Sequence, residues 1–275
     1  MGSGYGRVME DFTDKVVVIT GAASGMGRAY AVEFAKEGAR LALCDVDEIG
    51  LNETAELVKP HGDPDVFAQL VDVSSGSAML DFAADSKAAL GNASVVINNA
   101  GIIGSGNDGV ETSVKDLEKV MGVNFYGVVH GTLAFMSQLE AVPEAALVNV
   151  SSVFGMIGAP GNADYCATKF AVRGYSEVLM GELDHTHIRV ILVHPGGIRT
   201  NIVNGRDDAD EILDGFLSSP PEDVAKAVIE AIRKDKRRVV EGNLGGRMQF
   251  IGSFVPMKRR AKMFNRQHRE RAADG

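Results

Sequence analysis

The chain has 275 residues and a formal net charge of −9 at pH 7, with 37 acidic side chains against 28 basic ones. This acidic balance argues against a nucleic-acid-binding protein, which needs a face rich in Lys and Arg. Hydrophobic residues make up 45% of the chain, enough for a sizeable core. No apolar run is long enough to cross a bilayer, so we expect one soluble domain.

The first ten residues, 1–10, are glycine-rich and are expected to be disordered. They lack the apolar core of a signal peptide. Cys44 and Cys166 are the only cysteines. Cys44 follows the apolar run of a predicted strand and Cys166 lies within a predicted helix, so we expect two free thiols and a reducing compartment. A cytoplasmic location is therefore predicted.

Short apolar, β-branched runs alternate with stretches of helical periodicity along residues 11–257. Such alternation predicts right-handed crossovers and a doubly wound parallel sheet of about seven strands, covered by helices on both faces in three α/β/α layers. Ligands then bind beyond the carboxyl ends of the strands. The predicted strands lie near 15–20, 40–45, 66–71, 94–98, 145–151, 188–194 and 237–241. The predicted helices lie near 25–37, 47–59, 76–90, 113–139, 163–184 and 221–234.

A glycine-rich turn, Thr20-Gly21-Ala22-Ala23-Ser24-Gly25-Met26-Gly27, joins the first strand to the first helix. We expect Gly21 to permit the turn, Gly25 to let the backbone approach phosphates, and Gly27 to allow close packing of helix on strand. A strand, a glycine turn and a helix in this order place the helix N-terminus under a pyrophosphate. The alternative is a purely structural turn. Two further residues of the turn, expected to contact the same ligand, are Ser24 and Met26.

Tyr165 and Lys169 lie one helical turn apart, so both side chains project from the same face of their helix. A free phenol has a pKa of about 10, and a nearby cation lowers that pKa by favouring the phenolate. The pair therefore predicts an acid–base catalyst. The alternative is a solvated Tyr–Lys pair with no chemical role.

Further motifs follow in chain order, and together with the turn and the Tyr-xxx-Lys pair they resemble the short-chain dehydrogenase/reductase family over about 11–240. The glycine spacing is Gly-xxx-Gly-x-Gly rather than the ordinary dinucleotide fingerprint. The resemblance implies a Rossmann-type fold with strand order 3-2-1-4-5-6-7 and a nicotinamide cofactor. The additional motifs are Asn98-Asn99-Ala100-Gly101, Asn124, Ser151-Ser152, Pro195-Gly196 and Thr200.

The resemblance also implies catalytic roles. Tyr165 exchanges a proton with the substrate hydroxyl, and Lys169 lowers the tyrosine pKa and holds the nicotinamide ribose. Ser152, thirteen residues before the tyrosine, hydrogen-bonds the substrate oxygen, and Asn124 holds a water in a proton relay. For Asn124 the alternative is a polar residue that bends its helix. Asn98 would brace that helix. The residues expected to border the cofactor are Asn99, Ala100, Gly101, Pro195, Gly196, Ile198 and Thr200.

Asp45, at the end of the second predicted strand, predicts NAD as the cofactor. A carboxylate there can bind both ribose hydroxyls of the adenosine and would repel a 2′-phosphate. The alternative is that Asp45 caps the next helix, although Asp47 could serve as that cap. By resemblance, Asp72 accepts from the adenine amino group and the Val73 backbone flanks it.

No metal site is predicted, because His185 and His187 have no cysteine or carboxylate cluster to complete one. The tail 258–275 is rich in Lys and Arg. A solvated terminal helix is favoured over contact with a membrane surface or a partner chain. The helices near 113–139 and 163–184 are expected to form a homodimer or homotetramer, as is common in the family.

A largely apolar substrate pocket is predicted from the apolar residues in 153–160, in a lid at 201–220, and at Met248, Phe250 and Phe254. Arg199 and Arg206 keep open the alternative that the substrate is attached to an anionic carrier. The first hypothesis is an NAD-dependent enzyme that interconverts a lipophilic secondary alcohol and a ketone. The second is an NADPH-dependent ketone or 3-oxoacyl reductase. The third, from another class, is a nucleotide-sensing or scaffolding protein that has lost its chemistry.

Overall fold

A computed structural model describes residues 9–200, 202 and 217–274, with side chains described up to residue 265. Seven parallel strands form one sheet in the order β3-β2-β1-β4-β5-β6-β7, which confirms the predicted topology. The strands are β1 (Val16–Thr20), β2 (Arg40–Asp45), β3 (Val66–Leu70), β4 (Ala93–Asn98), β5 (Ala145–Val150), β6 (Ile188–Pro195) and β7 (Arg238–Glu241).

Helices cover both faces of the sheet, and the Rossmann-type α/β fold expected from the sequence is confirmed. The helices are α1 (Gly25–Lys36), α2 (Glu48–Val58), α3 (Gly76–Leu90), α4 (Val114–Met121), α5 (Gly127–Glu140), α6 (Ala163–Glu182), α7 (Pro221–Arg233), α8 (Gly245–Phe254) and α9 (Met257–Asp274). None of the helices in the described part of the chain is long and apolar enough to cross a membrane.

Strand β1 shows how the sequence builds two cores. Its side chains alternate, so that Val17 and Ile19 pack into one cluster with α1 and α7, while Val16 and Val18 pack into the other with α3 and α5. Because both faces of the strand are covered, the sequence reads as a continuous β-branched run rather than an alternation of apolar and polar residues. The two cores hold the carboxyl ends of the strands in a fixed row.

The register of the central strands brings their polar ends together. Asn98, the last residue of β4, pairs with Asn149 in β5, and Val150 pairs with Val193 in β6. The loops that follow β4, β5 and β6 therefore leave the sheet at the same edge. The sequence motifs at Asn98, Ser152 and Pro195 meet there.

The helix predicted over 113–139 is interrupted. A π-helical turn, Gly122–Tyr126, separates α4 from α5 and contains the buried Asn124. Helix α8 was not predicted. Most of the expected N-terminal segment, 1–8, lies outside the described residues, as does most of the expected lid, of which the structure describes only Ile202 and 217–220.

Candidate active site

The glycine turn sits at the carboxyl end of β1 and brings helix α1 very close to the sheet. Gly21 has a φ of +68°, and a Cβ there would lie 2.8 Å from the Cα of Ala100. A Cβ on Gly27 would lie 1.8 Å from the carbonyl oxygen of Gly21. Larger side chains are therefore excluded at both positions, and the close helix–strand packing expected of Gly27 is observed.

No side chain caps the N-terminus of α1, and the same holds for α6 and α7. Ser24 occupies the cap position without a side-chain hydrogen bond, and the first turn holds no acidic residue. By contrast, the side chains of Asp47, Ser75 and Ser113 cap α2, α3 and α4. The backbone N–H groups that begin α1 are thus free of side-chain acceptors, an arrangement that suits a phosphate.

Asp45 is held in place beside this turn. Its Oδ2 accepts from the backbone N–H of Ala23 at 2.9 Å, and its Oδ1 accepts from Val46 at 2.7 Å and from Asp47 at 3.1 Å. Asp47, not Asp45, caps helix α2 by accepting from the N–H of Gly50. Asp45 is therefore a carboxylate with a fixed direction at the end of β2, not a helix cap.

Asp72 and Val73 follow β3, at the same edge of the sheet. Asp72 is exposed, and its Oδ1 accepts from both the backbone and the hydroxyl of Ser74. Val73 is buried against Gly127, and its carbonyl oxygen accepts from Nδ1 of His130 at 2.9 Å. Both residues lie at the edge expected for the adenine, and their contact with it stays a prediction.

The Asn-Asn-Ala-Gly motif ties β4 to the glycine turn. The hydroxyl of Thr20 accepts from the N–H groups of Asn99 and Ala100 at 3.0 Å each, and the Asn99 amide donates back to the carbonyl of Thr20. Asn98 donates to Asn149 at 2.9 Å and to the hydroxyl of Thr132 on α5, which is the bracing contact expected of it. The wall beside the turn is thus fixed by side-chain hydrogen bonds.

The segment after β6 closes the other side of the turn. Gly196 packs so closely on the residues after β7 that a Cβ would lie 2.3 Å from the carbonyl oxygen of Asn243. Ile198 is buried, and Thr200 reaches the glycine turn, where a Cβ on Gly25 would lie 3.0 Å from its side chain. Pro195 to Thr200 and the turn therefore border one cleft.

Helix α6 brings Tyr165 and Lys169 into this cleft, and both side chains are buried. The Lys169 Nζ lies 5.6 Å from the centroid of the tyrosine ring and donates to the carbonyl oxygen of Val150 at 3.1 Å. Ser152 follows β5, and its hydroxyl hydrogen-bonds the Tyr165 phenol. The pair is a buried cluster with a serine, so the solvated-pair alternative is wrong.

The expected lowering of the tyrosine pKa is not observed. Burial raises the pKa of Tyr165 to about 12, and the hydrogen bond from Ser152 offsets only part of that rise. Burial also lowers the pKa of Lys169 to about 8, because the ammonium loses its hydration. At neutral pH the tyrosine is therefore a neutral phenol. Sequence reasoning counted the attraction of the lysine and omitted the desolvation of both groups.

Asn124 sits in the π-helical turn and links the cleft to the loop after β4. Its Oδ1 accepts from the N–H of Ile102 at 2.8 Å, and its Nδ2 donates to the Ile102 carbonyl and to the hydroxyl of Thr168. A Cβ on Gly101 would lie 3.3 Å from the Asn124 Oδ1 and 3.4 Å from the Lys169 Nζ. The side chain is therefore a brace beside the lysine, and its predicted role in holding water stays a prediction.

Asp164 is a site residue that sequence reasoning missed. Its buried carboxylate accepts from the N–H of Tyr165 at 2.7 Å and from the N–H of Ser105 at 2.8 Å. Gly104 packs so tightly that a Cβ would lie 1.9 Å from the Asp164 Oδ1. Asp164 thus fastens the loop after β4 to the first turn of the catalytic helix. An acidic residue beside the tyrosine is a weak signal, because first-turn carboxylates are common in helices.

We expect Asp164→Asn to reduce the free energy of unfolding by about 1–3 kcal/mol. One of the two accepting oxygens becomes an NH₂ group that faces a backbone N–H, which leaves buried donors unsatisfied. Urea unfolding of the purified variant measures the loss. Asp81→Asn makes the same chemical change at an exposed position of α3 and should move stability by less than about 0.5 kcal/mol. Equal effects for the two variants would contradict the bracing role.

His194, immediately before Pro195, was also missed. It is fully buried, and its Nδ1 lies 2.8 Å from the carbonyl oxygen of Ser152, so Nδ1 must carry the proton. No described residue hydrogen-bonds the Nε2. Burial lowers the pKa of His194 to about 4. The neutral ring thus holds the backbone of Ser152 in place, while a protonated ring would leave a charged donor unpaired.

This histidine predicts a loss of stability in mild acid. The pKa of the imidazole is about 6.5 in the unfolded chain and about 4 in the folded chain, so stability falls as pH drops through that window. Between pH 7.5 and pH 5 the loss from this residue is about 2 kcal/mol. Urea midpoints at the two pH values measure it. His194→Asn keeps a hydrogen-bond donor but cannot titrate, so it should lose about 2 kcal/mol less stability between the two pH values than the wild type. An equal loss in the variant would show that His194 is not the source of the acid sensitivity.

The predicted pocket wall is only partly observed. Val153, Met156 and Ile157 follow Ser152 in the chain and are buried, and Gly252 of α8 packs against the Met156 carbonyl. Phe250 and Phe254 were expected to line the pocket but lie on the exposed face of α8, because the helix turns Gly252 and Ile251 inward. A cavity of about 460 Å³ adjoins Gly25 and Thr200 rather than Tyr165. Arg206 lies outside the described residues.

Both cysteines are buried and unpaired, as expected. Among the residues that the structure describes, no group of three or more His, Cys, Asp or Glu side chains could hold a metal ion.

Comparison with known proteins gives consistent matches. The family model described as short chain dehydrogenase matches residues 15–211. The Mycobacterium tuberculosis protein SadH, named as an oxidoreductase, is 40% identical over 245 residues, which cover 85% of this chain and 88% of SadH. Human epidermal retinol dehydrogenase 2 is 33% identical over 247 residues, covering 89% of this chain and 79% of its own.

Solved structures show the same architecture. A short chain dehydrogenase/reductase from Burkholderia phymatum in complex with NAD superposes with a TM-score of 0.79 and 31% identity, covering 84% of this chain and 90% of that one. An alcohol dehydrogenase from Thermococcus sibiricus complexed with 5-hydroxy-NADP superposes with a TM-score of 0.70 and 25% identity, covering 82% and 93%.

Proposed function

Because the chain belongs to the short-chain dehydrogenase/reductase family, we propose that it uses NAD to interconvert a lipophilic secondary alcohol and the corresponding ketone. One observation carries this proposal. Ser152 hydrogen-bonds the buried Tyr165, and the buried Lys169 lies beside the tyrosine ring and Asn124, at the same sheet edge as the uncapped N-terminus of α1. This proximity supports substrate chemistry next to a bound dinucleotide.

The residues along this edge fit a dinucleotide. The uncapped backbone of α1 suits a pyrophosphate, and the fixed carboxylate of Asp45 suits a pair of ribose hydroxyls. When bound, NAD supplies the hydride acceptor for oxidation, or as NADH the donor for reduction. We assign cofactor contacts to Gly21, Ser24, Gly25, Met26, Gly27, Asp45, Asp72, Val73, Asn99, Ala100, Gly101, Tyr165, Lys169, Pro195, Gly196, Ile198 and Thr200.

The proton chemistry falls to Tyr165 and Ser152. In the reductive direction the neutral phenol of Tyr165 donates a proton to the carbonyl oxygen while the Ser152 hydroxyl hydrogen-bonds that oxygen. In the oxidative direction the phenolate must accept the alcohol proton. Because burial raises the pKa of Tyr165 to about 12, oxidation should speed up as pH rises above neutrality. Lys169 favours the phenolate only while it is charged, which is below about pH 8, and Asn124 braces the loop beside it.

Asp45 supports NAD over NADP. Its carboxylate would repel a 2′-phosphate, and the neighbouring Ser24 and Val46 offer no positive charge to hold one. The alternative, an NADPH-dependent ketone or 3-oxoacyl reductase, draws support from the Thermococcus sibiricus enzyme and its NADP-type ligand. In this chain, however, the negative charge of Asp45 still disfavours the 2′-phosphate of NADP.

The apolar side chains that follow Ser152 support a lipophilic substrate. Val153, Met156 and Ile157 offer no charge or hydrogen bond to a polar substituent. The human relative is named a retinol dehydrogenase, and retinol is a lipophilic alcohol, although a primary one. A catalytically lapsed nucleotide sensor or scaffold is the alternative from another class. It gives no reason for the chain to keep the Ser152–Tyr165 hydrogen bond and the buried Lys169 together.

We also propose self-association through α5 and α6. Both helices expose apolar side chains, including Leu133 and Tyr126 near α5 and Phe170 and Val178 on α6. Pairing these helices between two copies would cover them. A homodimer or homotetramer in the cytoplasm is the form we expect.

The test is a panel of substrates assayed with NAD and NADP in parallel, followed by the absorbance of reduced nicotinamide. Apolar secondary alcohols of increasing length should be oxidised with NAD, and kcat/KM should rise with length. Small charged hydroxy acids of matched size serve as the comparison. A higher kcat/KM on the charged compounds would overturn the lipophilic assignment, and a preference for NADPH with ketones would favour the reductase alternative.

A further inference from the structure

The C-terminal segment 242–269 concentrates positive charge in an acidic protein. Seven of the 28 Lys and Arg residues lie in it, and none of the 37 Asp and Glu residues does. The segment therefore carries a formal charge of +7, while the remainder of the chain carries −16. A charge separation of this size gives the molecule one strongly basic region.

The same segment exposes large apolar side chains. Phe250 and Phe254 on α8 are 60% and 74% exposed, with ring centroids 5.4 Å apart, and Met257 at the start of α9 is 78% exposed. We call these three residues the C-terminal apolar patch. Scattered single hydrophobic residues are normal on a protein surface, but a contacting aromatic pair followed three residues later by an exposed methionine is a cluster.

The patch cannot turn inward without dismantling α8. The opposite face of that helix is already packed, with Ile251 buried and Gly252 so close that a Cβ would lie 2.5 Å from the carbonyl oxygen of Met156. Helical periodicity then fixes Phe250 and Phe254 on the outer side. Among the residues that the structure describes, the patch is left open to a partner.

Basic side chains of α9 follow the patch directly. Lys258, Arg259 and Lys262 are exposed, and Arg260 is half-buried. Phenylalanine and methionine beside a row of Lys and Arg are typical of helices that lie in the interface of an anionic bilayer. Apolar side chains enter the acyl boundary, and the cations meet anionic headgroups.

We propose that the C-terminal apolar patch and the basic residues of α9 dock on an anionic lipid bilayer. The charge separation favours this partner, because an anionic surface attracts the +7 segment and repels the net charge of the rest of the chain. Helix α8 also contacts Met156, four residues after Ser152, so docking brings one wall of the candidate active site toward the bilayer. The docking itself does not depend on the proposed reaction.

Cosedimentation of the purified full chain with lipid vesicles tests the proposal. Vesicles of phosphatidylcholine with one part in three phosphatidylserine should bind the protein, and vesicles of phosphatidylcholine alone should bind it at least ten-fold more weakly. Phe250→Ser with Phe254→Ser, and separately Arg259→Gln with Lys262→Gln, should each weaken binding at least ten-fold. Raising the salt concentration should weaken it as well, since the headgroup attraction is screened.

Leu80→Ser is the matched control, because Leu80 is 58% exposed on α3, away from the basic segment. Its binding to the mixed vesicles should equal that of the wild type. No binding to the mixed vesicles at low salt would overturn the proposal. So would binding that neither double variant weakens, or a double phenylalanine variant that loses self-association in gel filtration, since a second copy would then be the occupant of the patch.

Discussion

Replacing Tyr165 by phenylalanine is expected to lower kcat by roughly 10²- to 10⁴-fold, the usual contribution of a general acid–base group. The phenol is the group that Ser152 hydrogen-bonds, and no other titratable side chain among the described residues bonds that hydroxyl. The substitution keeps the ring that packs edge-on against Phe154 and removes only the hydroxyl. Steady-state kinetics with NAD and the best alcohol of the panel measure the loss.

Tyr175→Phe is the matched control, because it makes the same chemical change almost three turns further along α6. Tyr175 is half-buried and bonds to Thr132, away from Ser152. That variant should keep its kcat within a few-fold of the wild type. The affinity of Tyr165→Phe for NAD, measured by calorimetry, should also stay within about ten-fold. A kcat for Tyr165→Phe close to that of the wild type would contradict the proposed role of Tyr165.

Replacing Asp45 by serine is expected to shift the ratio of kcat/KM for NAD over NADP by about 100-fold toward NADP. A charged acceptor contributes about 1.5–3 kcal/mol through its hydrogen bonds, and its removal also ends the repulsion of a 2′-phosphate. The backbone N–H groups of Ala23, Val46 and Asp47 lose their acceptor as well, so the loop should loosen.

Asp47→Ala is the control for that loosening. It removes the cap of α2 two residues later and should reduce the free energy of unfolding by about 1 kcal/mol while leaving the cofactor ratio unchanged. An unchanged ratio in Asp45→Ser, or an equal change in both variants, would show that Asp45 does not select the cofactor.

Much of the fold follows from local sequence features. The buried runs such as Val16–Thr20 are β-branched on both faces, and the alternation with helical segments restricts the topology, so the parallel sheet was predictable. Gly21 and Gly27 were predictable for a related reason, since close helix–strand packing leaves no space for a Cβ.

Other features depend on contacts between distant segments. The π-helical turn at Gly122–Tyr126 has no local sequence signal, although it is where Asn124 reaches Ile102. Asp164 acts through Ser105, 59 positions away, and His194 through Ser152, 42 positions away. The protonation of Tyr165 and Lys169 was misjudged because desolvation depends on the whole surrounding structure.

The central claim is that the Tyr165 cluster performs hydride-transfer chemistry with NAD at this sheet edge. A single-turnover experiment tests it most directly: enzyme in excess is mixed with NAD and an apolar secondary alcohol, and the absorbance of reduced nicotinamide is followed in time. We predict that reduced nicotinamide forms in proportion to the NAD supplied, and that Tyr165→Phe forms it at least 100-fold more slowly. A protein that binds NAD tightly but forms none with any alcohol of the panel would contradict the claim and favour a nucleotide sensor or scaffold.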